Sequence, residues 1–240
     1  GIIPKKVNDA KNKNIVVLDD VYLFGGSKIL QFNVKTMTIS NIPVQPTVPL
    51  PQRTMCEYIL DLSKIATLGG MLDGKITTVG YLWDPKDFSK AVSLPPYPKP
   101  VRYSSLAYYE GYLYSLGGET DGADPDCILT DVYKLKLKPE VGTAWEKVGD
   151  LPIKRRSANV MIANGSIYVF GGYSGSGNRS TQIDVVNTKD GSCKQEPYRL
   201  PLGVEGARMC WHGDDLLLIG GKRIGETADA NVVQLDFEKR

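Results

Sequence analysis

Five short apolar runs in this chain end alike: VYLF, IATL, LYSL, IYVF and LLLI each stop at a glycine pair. The first glycines are Gly25, Gly69, Gly117, Gly171 and Gly220, separated by 44, 48, 54 and 49 residues. None of the runs alternates cleanly between apolar and polar residues, so each reads as a strand covered on both faces. An earlier apolar run precedes them across a turn signal: Glu110-Gly111, Asn164-Gly165, or Gly213 with Asp214 and Asp215. Asn-Gly between apolar runs predicts a tight hairpin, because both positions tolerate positive φ. After each pair comes a polar loop of variable length and a third β-like run: KILQFNV, ITTVGYLW, LTDVYKLKL, TQIDVVN and NVVQLDF. A fourth run ends in Leu-Pro or Ile-Pro: ISNIP, AVSLP, WEKVGDLP and EPYRLP. Each repeat therefore predicts four strands, a to d.

Four-stranded units at this period predict a β-propeller, with the glycine pair placed where neighbouring blades crowd. The pattern resembles the kelch family, whose blades add an aromatic residue in strand c and a Trp leading into strand d. Repeat three fits throughout, with Gly117, Gly118, Tyr133 and Trp145. Repeat two has Tyr81 and Trp83, repeat four lacks the Trp, and repeat one has neither Tyr nor Trp after its pair. The expectation is one all-β domain over residues 1–240, a kelch-type propeller of five four-stranded blades. The blades fall at about 9–48, 49–98, 99–152, 153–201 and 202–240 plus 1–8. Both termini are expected to close the last blade, since NVVQLDFEKR finishes as a strand c and Ile3-Pro4-Lys5-Lys6 echoes Leu151-Pro152-Ile153-Lys154. Five blades depart from the six or seven usual in the family; an excerpt of a larger ring is the alternative.

Composition changes this picture little. The chain is 42% apolar and 23% charged with a net charge of +2, which by itself points to neither nucleic acid nor membrane. No apolar stretch is long enough for a membrane-spanning helix. The four cysteines (Cys56, Cys127, Cys193 and Cys210) have no metal-ligand spacing and read as reduced. Sequons at Asn164 and Asn178 do not decide the compartment. A cytoplasmic monomer is expected, with secretion as the alternative.

Candidate chemistry is mostly excluded. His212 is the one histidine, whereas copper-binding kelch enzymes resembling galactose oxidase use two with tyrosines. The iron motif of plant specifier proteins, Glu-xxx-Asp-xxx-Cys, fails because Ala123 stands where the aspartate is required. Glu119, Asp121, Asp124 and Asp126 lack EF-hand spacing and read as a solvated b–c loop rather than a calcium site. The loop GGYSGSGNRS has neither the Lys-Ser or Lys-Thr nor the helix that a phosphate loop needs. IPVQPTVPLPQ and LPPYPKP read as stiffened d–a connectors. No cofactor, metal or catalytic set is expected.

In up-and-down blades the d–a and b–c loops share one face. An arginine precedes four glycine pairs, by 16, 15, 15 and 12 residues: Arg53, Arg102, Arg156 and Arg208. These, with Lys154, Arg155, Arg179 and Arg223 and the aromatic Tyr173, are expected on that face, where guanidinium forks suit carboxylates. In kelch adaptors that this chain resembles, arginines at the same motif position contact acidic segments. The expected function is a non-enzymatic protein-interaction module binding an acidic partner segment. Each arginine could instead bond locally to neighbouring blade carbonyls. The rival function is a carbohydrate-binding or cofactor-free sugar-active propeller, since some kelch rings resemble sialic acid mutarotases, and Tyr173, Trp211 and the arginines could serve such a ligand.

Overall fold

A computed structural model describes residues 20–25, 28–33, 35–42, 48–212, 215–223, 225 and 231–235. The chain forms two compact units, the first ending at Arg102 and the second beginning at Tyr103. In the first, β1 (Asp20–Gly25), β2 (Lys28–Asn33) and β3 (Thr38–Asn41) form one antiparallel sheet. A second sheet has the order β4-β5-β8-β9 and joins β4 (Met55–Ile59), β5 (Lys64–Leu68), β8 (Gly80–Asp84) and β9 (Asp87–Ser93). Between β5 and β8 the hairpin of β6 (Met71–Leu72) and β7 (Lys75–Ile76) projects.

In the second unit, β10 (Ser105–Tyr109), β11 (Tyr112–Leu116), β12 (Asp131–Lys136) and β13 (Glu146–Asp150) pair in sequence order. The next sheet is β14 (Asn159–Ala163), β15 (Ser166–Phe170), β18 (Gln182–Asn187) and β19 (Cys193–Arg199). Its b–c loop forms the hairpin β16 (Tyr173–Gly175) and β17 (Asn178–Arg179). The last sheet is β20 (Arg208–His212), β21 (Asp215–Ile219) and β22 (Val232–Leu235).

The sheets are propeller blades, and the chain is all-β as expected. Five equal four-stranded blades are not found among the described residues: in chain order their blade sheets have 3, 4, 4, 4 and 3 strands. The expected closing contribution of residues 1–8 lies outside the described residues. Among the described residues no fourth strand joins β22, which ends five residues before the carboxyl terminus. The end sheets also leave apolar side chains bare, with Met37 71%, Ile39 64% and Val232 57% exposed.

Tight turns set the register. Glu110-Gly111 and Asn164-Gly165 both have positive φ at each residue (45° and 86°, 49° and 70°), the type I′ conformation that matches strand twist. Tyr109 then faces Tyr112, and Ala163 faces Ser166. The missing alternation of the b strands also has its reason. Along β15, Ile167 and Val169 enter one core with Leu116, Val132 and Ala158, while Tyr168 and Phe170 enter another with Ile183, Leu216 and Leu218. Both faces are inside. Strand d is peripheral: four of the five residues of β5, β11 and β15 are buried, against none in β13.

The glycine pair closes one blade on the next. The first glycine takes φ near +60°, and a Cβ there would lie 2.0 Å from Val101 O at Gly69, 2.3 Å from Arg155 O at Gly117 and 2.7 Å from Val204 O at Gly171. The second glycine donates its N–H to that same carbonyl at 2.8, 2.9 and 2.8 Å respectively. Two glycines in a row are needed because one backbone touches another there.

Candidate binding site

The chain crosses from each blade to the next through three residues with distinct tasks. The first (Val101, Arg155 or Val204) is buried and supplies the carbonyl to the glycine pair. The second makes an antiparallel bridge to the residue after the pair: Gln52 with Met71, Arg156 with Tyr173, Glu205 with Lys222. The third has positive φ: Arg53, Tyr103, Ser157 and Gly206 at 57°, 57°, 51° and 67°. This backbone shows that the expected arginines are not equivalent. Arg102 and Arg156 hold the second position, Arg53 the third, and Arg208 lies beyond the crossing on β20.

Arg155 is 1% exposed, which removes it from a partner surface. Its guanidinium donates to Gly171 O at 2.8 Å and Gln182 O at 3.2 Å and pairs with the buried Asp184 carboxylate. Gln182 Nε2 also donates to Asp184 Oδ1 at 2.6 Å. Burial pushes the Asp184 carboxyl above its ordinary range, outweighing the opposite pull of Arg155. This arginine bonds to neighbouring carbonyls, the local alternative for the arginine set.

Arg156, the next residue, turns to the loops. Its guanidinium carbon lies 4.5 Å from the centre of the Tyr173 ring and 5.6 Å from that of Tyr103. Nη1 pairs with the buried Glu119 carboxylate, and Nε lies 3.9 Å from Glu205 Oε2. Burial works against this charge, but the hydrogen bond and attraction of Glu119 outweigh it and hold the guanidinium above its ordinary range. Arg179 donates to Glu205 Oε1 at 2.7 Å and to Gly177 O at 2.8 Å, and lies 5.3 Å from the Tyr173 ring centre. Tyr173 in turn donates to Asp124 Oδ2 at 2.8 Å, which also receives Ser176 N–H at 2.9 Å. Lys154 Nζ donates to Pro125 O at 3.0 Å. Loop 119–127 and the β16–β17 hairpin thus interlock. The GGYSGSG stretch is this hairpin, followed by β18 rather than a helix.

Arg156, Tyr173 and Arg179 are therefore brought together. Arg223 is partly buried on the same unit, and Arg208 is exposed at the start of β20. Arg53 and Arg102 belong to the first unit, where both reach the Met71 sulfur, at 3.8 and 2.9 Å. Sequence reasoning missed Tyr103 and Glu205, and its reading of Glu119 as part of a solvated loop is corrected, since that carboxylate is buried. For Glu205 the signal was present: it stands fifteen residues before Gly220, as Arg102 stands before Gly117 and Arg156 before Gly171. Of the acidic loop, Asp121 and Asp126 are exposed, whereas Glu119 is buried against Arg156. Among the described residues no group of three or more His, Cys, Asp or Glu is arranged to hold a metal ion. No helix among them is long and apolar enough to cross a membrane.

A family model of the Kelch motif matches residues 154–198. The chain is 29% identical to beta-scruin of Limulus polyphemus over 147 residues, 57% of this chain and 15% of that protein. It is 28% identical over 186 residues to Kelch repeat and BTB domain-containing protein 1 of cowpox virus (strain GRI-90 / Grishak), covering 72% of this chain and 30% of the viral protein. The chain thus spans less than a third of the length of either relative. The solved structure of YjhT superposes with a TM-score of 0.74 over 92% of this chain and 79% of that one at 14% identity, a likeness of fold.

Proposed function

Because the chain is made of kelch repeats folded as propeller blades, we propose that it is a binding module whose loop cluster around Arg156 takes a carbohydrate. The observation that carries this reading is charge balance beside aromatic rings. Two guanidiniums, Arg156 and Arg179, are already matched by two carboxylates, Glu119 and Glu205. Such a cluster offers little net attraction to an acidic peptide. It does offer donors, acceptors and the rings of Tyr103 and Tyr173 within one small area, the mixture that hydroxyl-rich ligands use.

The second reading, an acidic protein segment, is favoured by one observation: Arg53 and Arg208 are exposed at or near the blade crossings. Glycan-array screening followed by calorimetry separates the two. The carbohydrate reading expects a bound glycan whose affinity falls about tenfold or more in Tyr173→Ala, the loss of roughly one good contact. Binding to acidic peptides but not glycans, weakened by salt and by Arg53→Glu or by Arg208→Glu, would replace it.

A further inference from the structure

Met71 is the residue immediately after a glycine pair, and its backbone is pinned on both sides. Its N–H donates to Gln52 O at 2.7 Å and its carbonyl accepts from Gln52 N at 2.9 Å. Two guanidiniums converge on its thioether, Arg102 Nη1 at 2.9 Å and Arg53 Nη1 at 3.8 Å. A thioether sulfur is a weak acceptor, so the two charged donors that reach this atom meet a weak partner there. A sulfoxide oxygen on the same atom would be a strong acceptor placed within a ready-made fork of donors.

We propose that Met71 is a site of reversible oxidation by peroxides, promoted and read out by Arg53 and Arg102. In the reaction a sulfur lone pair attacks one peroxide oxygen and an S–O bond forms as the O–O bond breaks. Sulfur loses two electrons, and with hydrogen peroxide the departing hydroxide takes the transferred oxygen's proton to leave as water. Negative charge develops on both oxygens during that transfer, where the two guanidiniums lie. The sulfoxide then accepts hydrogen bonds from them, engaging two cations of the first unit's loops. Reduction by methionine sulfoxide reductases reverses the change. Met71 is partly buried and sits at a blade crossing, so the oxygen is added without opening a core.

Exposure alone ranks the methionines differently, because Met37 is 71% exposed. The test is a time course in dilute hydrogen peroxide with each methionine followed by peptide mass spectrometry, Met37 being the internal standard. Wild type is expected to oxidise Met71 at least as fast as Met37. Arg53→Gln with Arg102→Gln is expected to slow Met71 about tenfold, the worth of one charge-assisted hydrogen bond, and leave Met37 unchanged. If circular dichroism shows the double variant unfolded, Arg53→Gln alone, at an exposed position, is expected to slow Met71 in the same direction. Amide exchange in the β6–β7 hairpin is expected to slow after oxidation. Met71 trailing Met37 in wild type, a rate indifferent to the guanidiniums, or faster exchange after oxidation would each overturn the proposal.

Discussion

Arg155 and Arg156 are neighbours in the chain and opposites in the fold. The Arg155 side chain is wholly buried, and its partners are two carbonyls and the equally buried Asp184. The Arg156 side chain is 26% exposed and lies among loops, between Glu119, Glu205 and two tyrosine rings. The extended crossing segment turns successive side chains to opposite sides, so one residue faces the blade interior and the next the loops. The interior position is occupied by Val101 and Val204 at the equivalent crossings. An arginine fits at 155 because Asp184 and the Gly171 carbonyl receive it. Identical residue types thus do different work: one helps hold blades together, the other organises a surface.

The comparison breaks most visibly in stability. Arg155→Ala is expected to cost about 3–5 kcal/mol in chemical denaturation, since it strips a buried carboxylate of its counter-charge. Arg155→Val with Asp184→Val should recover most of that loss, because apolar residues of similar placement replace buried pairs well. A double variant no better than the single one would mean that the arginine's carbonyl bonds, not the ion pair, dominate. Arg156→Ala is expected to cost less, about 2 kcal/mol, the worth of a hydrogen bond to a charged group at a partly screened site. Its larger effect should fall on ligand binding. Equal destabilisation by the two alanine variants would dissolve the distinction.

Salt sharpens it further. Raising ionic strength toward 1 M, where the screening length is about 3 Å, should shrink the Arg156→Ala difference and leave that of Arg155→Ala nearly unchanged. The smallest effect is in thiol labelling. The Cys193 thiol is pushed up to about 11 by burial and by the Asp184 charge, and the Cys127 thiol is raised by burial and by Glu119 and Asp124. Both should react slowly at neutral pH, behind the exposed Cys56 and Cys210. Arg155→Ala, which leaves the Asp184 charge uncompensated, is expected to slow Cys193 further, and Arg156→Ala, which removes a charge that lowers the Cys127 thiol, to slow Cys127. The opposite pairing would place the two arginines in each other's surroundings.

Much of the fold is legible in residue patterns. The five apolar runs ending in glycine pairs are the b strands, Asn164-Gly165 is the tight turn expected, and the strand order a to d holds in three sheets. These features are local: a turn needs particular φ values, and a strand buried on both faces needs an unbroken apolar run. The site was half legible. Arg156, Tyr173 and Arg179 stand out by type and spacing, but the arginine spacing of 16, 15, 15 and 12 residues concealed unequal backbone positions.

By itself, then, the sequence determined the repeat, the crowding at each glycine pair and the residues capable of recognition, since these follow from backbone sterics and side-chain chemistry. Only the tertiary structure decided which of two adjacent arginines is interior and which carboxylates neutralise the other. Glu119 and Glu205 meet Arg156 from 37 and 49 residues away. Contacts of that range arise only when one blade packs on the next, and that packing made a charge-balanced cluster where the arginines alone had suggested a basic face.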